Sequence, residues 1–314
     1  GVPKRGLLTD GAAAMAGRIE LVPLEELPVP PEGDRLLVPG ELRAMLPERP
    51  FMMHKGDAGR VGIVAGSKGM LGAALLTATG ALRSGAGLVT LYVPEKLYGL
   101  MIAAGPPPEL MVKPVDCYRD LLDDPLDALA VGPGLGRPKK EQRKAIFDVL
   151  EEFDGTVVLD ADGLNLVAES GPEKHVRDGM VLTPHPGEMA RLFPAAENLD
   201  RAASALAFVD AHPCTLLLKG ARTVIASPDG PCWFNTTGTP GMAGGGQGDV
   251  LTGVIAALIG AGATLPAAAC CGAWLAGRAS ELAVAGQAGS EEALLASDTA
   301  GALGAAFAEL RGRR

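Results

Sequence analysis

The stretch HKGDAGRVGIVAGSKGMLGAALLTATGALRSGAGLVTLYVP, residues 54–94, carries the fold. Within it RVGIVAG (60–66) is a short apolar run closed by glycine, which reads as a buried strand. GAALLTATGALRSGAG (72–87) reads as a helix of small residues, and LVTLYVP (88–94) as the next strand. The alternation continues downstream. ALAVGPGLG (128–136) is a strand running into a glycine turn, and EQRKAIFDVLEEF (141–153) is a charged amphipathic helix. GTVVLDADGLNLV (155–167) is a strand, an acidic turn and a helix start. MVLTPHPGEMARLF (180–193), PCTLLLKGARTVIASPDG (213–230) and GDVLTGVIAALIGAG (248–262) follow. Strands alternating with helices predict an α/β fold, a three-layer αβα sandwich around a mostly parallel central sheet. Ligands in such sheets sit at the carboxyl ends of the strands, and the distinctive residues of this chain fall there.

Composition narrows the function classes. The 314 residues are 47% hydrophobic and 21% charged, a globular balance that excludes disorder and coiled coil. The 43 glycines and 25 prolines follow no G-X-Y period, which excludes collagen. A net charge of −9, aromatics at 4% and no basic cluster beyond RGRR (311–314) argue against a nucleic-acid partner. Cys117, Cys214, Cys232, Cys270 and Cys271 lack C-x-x-C spacing, so they read as buried thiols in a reducing, cytoplasmic compartment. Residues 250–277 carry no charge and are long enough to cross a bilayer. Pro266 and the many small residues favour two buried helices split near that proline, without a membrane span.

The amino-terminal residues differ from the rest. Residues 1–40 are proline-rich, with LPVPPEG (27–33) reading as an extended linker, and residues 41–314 are expected to form the main domain. No signal peptide opens the chain, and Gly1 without an initiator Met reads as a fragment or a processed product.

The strongest chemical signal is GTPGMAGGGQGDVLTGVIAALIG (238–260). Six glycines lie between 238 and 248, ahead of an uncharged helix expected to begin near Asp249. Successive glycine N–H groups and a helix N-terminus can converge on one anion. Asp249 beside that cradle is either an N-cap or a general base that deprotonates a hydroxyl during phosphoryl transfer. No Lys follows the glycines, so this is not a P-loop, and its late position excludes a Rossmann fingerprint.

Four further segments add chemistry. In LLLKGARTVI (216–225), Lys219 ends an apolar strand, and Gly220 turns the chain towards Thr223; the set could hold nucleotide phosphates, or Lys219 could be a snorkelling surface residue. In TPHPGEMARL (183–192) two prolines pin His185, and Glu188 opens a helix; no second His or Cys stands at zinc-ligand spacing. In LDADGLN (159–165), Asp160 and Asp162 could bind Mg2+ through water or a ribose hydroxyl, or form an acidic turn and cap. In HKGDAGRVGIVAGSKGMLGAAL (54–75) a central strand runs through a glycine loop into the small-residue helix.

Taken in order, HKGDAGRVGIVAGS, LRSGAGLVT, VGPGLG, DADGLN, TPHPGE with LKGART, and PGM…GDVLTG resemble the NAD(P)H-hydrate dehydratase family, of the ribokinase-like fold, over nearly all of residues 50–305. Residues 1–33 resemble the tail of the epimerase domain that precedes it in bifunctional members, which makes 1–40 a remnant of that domain plus linker and 41–314 the dehydratase domain. The resemblance implies a lyase that phosphorylates the hydroxyl of NADHX or NADPHX with ADP or ATP and then eliminates phosphate. Asp249 would be the base, and the amides of Gly245, Gly246, Gln247 and Gly248 the anion hole. Lys219, Gly220, Ala221, Arg222, Thr223 and Gly248 would bind the nucleotide. Ala73, Gly134, Asn165, His185 and Asp249 would touch the hydrate, and Mg2+ would accompany the nucleotide, with Asp160 and Asp162 as candidate ligands. A homo-oligomer, a tetramer by resemblance, is implied as well.

Two positions depart from the family's A-T-G-G-[ST]-G-D pattern. Here residues 243–249 read Ala-Gly-Gly-Gly-Gln-Gly-Asp, so hydroxyls are missing at 244 and 247, and Gln247 could supply a side-chain amide instead. Two other readings compete. One is a small-molecule kinase of the same fold acting on a hydroxyethyl or hydroxymethyl heterocycle; TPHPGE and DADGLN count against it. The other is a non-catalytic nucleotide sensor.

Overall fold

The alternation beginning at residue 60 folds into one sheet, ten-stranded among the described residues once the short strand at residues 35–36 joins its edge. The computed structural model describes residues 4–17, 19, 22, 33–228 and 230–312. Its strands are β1 Arg35–Leu36, β2 Arg60–Val64, β3 Leu88–Pro94, β4 Leu110–Val115, β5 Ala128–Val131, β6 Thr156–Leu159, β7 Met180–Leu182, β8 Thr215–Leu218, β9 Val224–Ala226 and β10 Trp233–Phe234. Its helices are α1 Asp10–Ala16, α2 Pro39–Met45, α3 Leu71–Arg83, α4 Glu95–Ala103, α5 Lys140–Glu152, α6 Asp162–Ser170, α7 Pro186–Leu192, α8 Arg201–Ala211, α9 Gln247–Gly260, α10 Leu265–Ala283 and α11 Ala296–Leu310.

The sheet order is β1-β10-β9-β8-β7-β6-β5-β2-β3-β4. From β8 to β4 every pairing is parallel, whereas β9 runs antiparallel to both β8 and β10. β1 closes the far edge beside β10. After β2 the chain builds outward through β3 and β4, then returns to place β5 on the other side of β2. The β2/β5 boundary is therefore the topological switch point, where a crevice opens at the strand ends.

Residue alternation explains the two covered faces. Val61, Ile63, Ala128, Ala130, Val158, Val181 and Leu217 pack on one side, with α3, α9, α10 and α11. Leu129, Val131, Val157, Leu159, Met180, Leu182, Leu216 and Leu218 pack on the other, with α5, α6 and α8. Neither face is wet, so the strands read as continuous apolar runs. The small residues of α3 and α9 have a separate cause. A Cβ on Gly80 would lie 2.4 Å from the Val250 carbonyl oxygen, and one on Gly253 would lie 2.0 Å from that of Thr77. The two helices touch backbone to backbone, and that brings the start of α9 down onto the sheet.

The uncharged stretch 250–277 divides into α9 and α10, with Pro266 in the first turn of α10. Among the described residues no helix is long and apolar enough to cross a membrane. All five cysteines are free thiols. At the amino end, residues 27–32 of the proline-rich stretch lie outside the described residues, while β1 and α2 already belong to the sheet and its cover.

Candidate active site

The site forms where β2, β5, β6, β7 and β8 end. Loops after β2 and β5 are tied together across the switch point, Gly66 N–H donating to the Pro133 carbonyl at 2.8 Å and Gly132 N–H to that of Val64 at 3.0 Å. The β5 loop then runs against the start of α3. A Cβ on Gly134 would stand 2.8 Å from the Met70 carbonyl oxygen and 2.9 Å from Ala73 Cβ, so Ala73 and Gly134 share one wall.

α9 begins two residues before Asp249. Gly246 is its N-cap with φ of 92°, a left-handed conformation that favours glycine. The first intrahelical bond runs from Val250 N–H to the Gly246 carbonyl at 3.1 Å. Helix geometry leaves the amides of Gln247, Gly248 and Asp249 without intrahelical acceptors, and Gly245 and Gly246 precede them in the same turn. This is the arrangement that cradles an anion. The Gln247 side chain is buried at 7% exposure, and its Oε1 and Nε2 have no hydrogen-bond partner among the described residues.

Beneath this turn lies a buried charge cluster. Lys219, carried just past β8, donates from Nζ to Asp160 Oδ1 at 2.6 Å, and Glu188 Oε2 is 4.0 Å away. Asp160 Oδ2 accepts from Thr252 Oγ1 at 2.8 Å. Burial opposes the Asp160 charge, but Lys219 and Thr252 outweigh it and hold the carboxyl below the usual range. Burial likewise opposes the Lys219 charge, and Asp160 with Glu188 overcomes it, so the ammonium is retained. Asp249 is different. Half-buried, with the Asp160 carboxylate near it and only Lys219 in its favour, its carboxyl is pushed up to about 7. An acid titrating near neutrality suits a general base.

His185 caps α7. Its Nδ1 accepts from Gly187 N–H at 2.9 Å and Glu188 N–H at 3.3 Å, while Glu188 Oε2 accepts from His185 N–H at 2.8 Å. With Nδ1 an acceptor, the proton of neutral His185 sits on Nε2, 3.4 Å from Glu188 Oε1. Asn165 lies on α6 and Asp162 opens that helix; Asp162 Oδ2 accepts from Gly136 N–H at 2.7 Å.

Three expectations meet a different arrangement. The Arg222 guanidinium does not stand among these groups: it is buried and donates to the Gly17 carbonyl. Gly220 and Ala221 are exposed in the turn after Lys219, and Thr223 Oγ1 donates to the Gly220 carbonyl at 3.1 Å. Asp160 and Asp162 are already engaged within the protein. Their oxygens are engaged by Lys219, Thr252, Gly136 N–H and Asn165, and among the described residues no three His, Cys, Asp or Glu converge as metal ligands. Asn165 is likewise engaged, its Oδ1 accepting from Arg191 Nε at 3.0 Å.

Glu188 and Thr252 belong to the cluster without having been singled out as site residues. The His185-x-x-Glu188 spacing is a capping-box signature and could have flagged Glu188. Nothing local points Thr252 at Asp160.

Comparison with known proteins identifies the family. The profile of a family described as NAD(P)H-hydrate dehydratase matches residues 61–300. The bifunctional NAD(P)H-hydrate repair enzyme of Moorella thermoacetica is 41% identical over 95% of this chain, which spans 59% of that protein. The ADP-dependent (S)-NAD(P)H-hydrate dehydratase of Neisseria meningitidis is 36% identical over 79% of this chain and 84% of its own length. A crystal structure of the ADP/ATP-dependent NAD(P)H-hydrate dehydratase from Bacillus subtilis, grown with ATP and Mg2+, aligns with a TM-score of 0.74 at 31% identity, covering 88% of this chain and 99% of that one. The α/β sandwich expected from the alternation is thus the fold of these relatives.

Proposed function

This chain belongs to the NAD(P)H-hydrate dehydratase family, and on that premise we propose that it returns the (S)-hydrates of NADH and NADPH to the intact dinucleotides at the expense of ADP or ATP. The observation that carries the reading is Asp249, an acid titrating near neutrality in the first turn of a helix whose amides face outward from a glycine bend.

The chemistry follows from that placement. Hydroxide leaves a carbon poorly, whereas phosphate leaves well. Asp249 takes the hydroxyl proton as the hydrate oxygen attacks the terminal phosphorus of the nucleotide. The bond to the nucleotide's bridging oxygen breaks, giving AMP from ADP or ADP from ATP. The amides of Gly245, Gly246, Gln247 and Gly248 hold the transferring phosphoryl group, and Lys219 lies under Gly248 as a fixed positive charge. The ring nitrogen's lone pair then expels phosphate, and loss of a proton from the adjacent carbon restores the double bond. Ala73, Gly134 and His185 line the end of the site assigned to the hydrate, and Lys219, Gly220, Ala221 and Thr223 the nucleotide turn.

Among the described residues no three His, Cys, Asp or Glu converge on a magnesium ion. It would enter with the nucleotide, which suits a cation that keeps its waters and binds phosphate oxygens. The longer bifunctional relatives support an epimerase domain preceding this one in cis. Self-association as a homo-oligomer is part of the same proposal and rests on the family resemblance alone. A heterocycle kinase of the same fold shares the Asp-and-amide logic but lacks a reason for the TPHPGE and DADGLN segments. The deciding experiment gives the purified chain NADHX with ADP, with ATP and with neither. Recovery of reduced-nicotinamide absorbance that requires a nucleotide supports the reading; phosphorylation of hydroxyethylthiazole without such recovery would favour the kinase.

A further inference from the structure

Asn165 is engaged within the protein at both ends of its amide. Its side-chain Nδ2 donates to Asp162 Oδ1 at 3.4 Å, and its Oδ1 accepts from Arg191 Nε at 3.0 Å. Asp162 is in turn fixed by the Gly136 amide in the loop after β5. A chain of three hydrogen bonds thus runs from the switch-point loop through α6 to an exposed guanidinium on α7. Arg191 is directed towards His185: a Cβ on Gly187 would lie 2.9 Å from His185 Cε1 and 3.9 Å from Arg191 Nη1, so both side chains border one spot at the site's mouth. Among the described residues, Arg191 is held through its Nε by Asn165, and the residue is exposed beside the histidine.

We propose that Arg191 binds a phosphate of the dinucleotide substrate, and that Asn165 is a positioning residue for Arg191 instead of a substrate contact. The proposal rests on the dehydratase reading of the site. Its chemistry is simple. A guanidinium held by one nitrogen presents its remaining donors in a fixed fork that matches two phosphate oxygens. A nicotinamide seated against His185 would carry its nearest phosphate one ribose away, and Arg191 borders the same spot as that histidine. The cluster below contributes the carboxylates of Asp160 and Glu188 against the single Lys219, so a polyanionic substrate gains from a cation at the rim.

The test compares wild type, Arg191→Gln, Arg191→Lys, Asn165→Ala and the Arg191→Gln/Asn165→Ala double variant. KM is read for NADHX, NADPHX and the hydrate of the reduced mononucleotide, and for ADP. Arg191→Gln is expected to raise KM for the hydrates about tenfold to a hundredfold, the range of a charged hydrogen bond. The KM for ADP should stay within about twofold of wild type on the same reasoning. Arg191→Lys should recover part of the loss, and Asn165→Ala should add nothing once Arg191 is gone, which a merely structural role would not produce. Equal losses with all three hydrates assign the contact to the phosphate nearest the nicotinamide. A loss confined to the two dinucleotides assigns it to the pyrophosphate, and one larger for NADPHX to the 2′-phosphate. Binding of intact NADH and NADPH, followed by fluorescence, gives the same comparison without turnover, so inactivity of the wild-type chain would count against the dehydratase reading and leave this proposal under test. Unchanged hydrate KM and unchanged dinucleotide binding in Arg191→Gln, or a rise confined to ADP, overturns it.

Discussion

Lys219 and Asp160 form a 2.6 Å ion pair directly under the glycine bend, with the ammonium 3.3 Å from where a Cβ on Gly248 would begin. The pair explains why residue 248 has no side chain and why a lysine at a strand end is not a solvated surface group.

Removing half of that pair is expected to cost stability. Lys219→Met leaves a fully buried carboxylate uncompensated and should destabilise the chain by about 3–5 kcal/mol. Adding Asp160→Asn to it should recover a large part of the loss. Urea unfolding of the two single variants and the double variant checks this; strict additivity would contradict the pairing.

The acid–base behaviour of Asp249 sets a pH dependence for both activity and stability. Its carboxyl titrates near 7 in the folded chain against 3.8 for an ordinary aspartate, so the basic form grows, and turnover rises, as pH climbs through about 7. The stability sign is opposite. A raised folded value means the native state holds its proton more tightly, so this group's contribution is present below the unfolded value and is lost as pH rises through 7. Asp249→Asn should therefore gain stability over wild type between pH 5 and pH 8, by roughly 2 kcal/mol. Thermal melts across that range give the measurement, and a difference that shrinks with pH would contradict it.

The orphaned Gln247 amide predicts a trade between stability and function. A buried polar group without a partner costs about 1–3 kcal/mol, and a bound anion would supply the partner. Gln247→Leu is expected to melt at or above the wild-type temperature while kcat/KM for the nucleotide falls about tenfold. A variant of lower stability and undiminished turnover would show that Gln247 serves the fold.

The backbone contact between α3 and α9 can be broken at one atom. In Gly253→Ala the new methyl would start 2.0 Å from the Thr77 carbonyl oxygen, so the helices must part. Overpacking of this kind costs about 1–3 kcal/mol, and it would also lift the start of α9 from the sheet. Calorimetry and nucleotide affinity should both report the change; a neutral substitution would mean that the helices do not touch there.

Much of this architecture is legible in local sequence. The apolar runs at 60–64, 128–131 and 156–159 form central strands, and the glycines at 244–248 form the bend that opens α9. Local reading fails where a partner is distant. Lys219 meets Asp160 across 59 residues and Arg222 meets Gly17 across 205, so neither partner is visible from the LKGART segment alone. It also stops short at β9 and β10, three- and two-residue strands whose antiparallel pairing the α/β alternation does not predict. Asp160 and Asp162 suggest a cation site because their spacing does not reveal that lysine, threonine and amide groups already engage them.

The most direct test of the central claim follows the recovery of reduced nicotinamide from NADHX with ADP or ATP in wild type and Asp249→Asn. The account predicts nucleotide-dependent recovery in wild type and a loss of about 10²–10⁴-fold in the variant, with nucleotide still bound. Recovery at nearly the wild-type rate in Asp249→Asn, or none in wild type with either nucleotide, would contradict it.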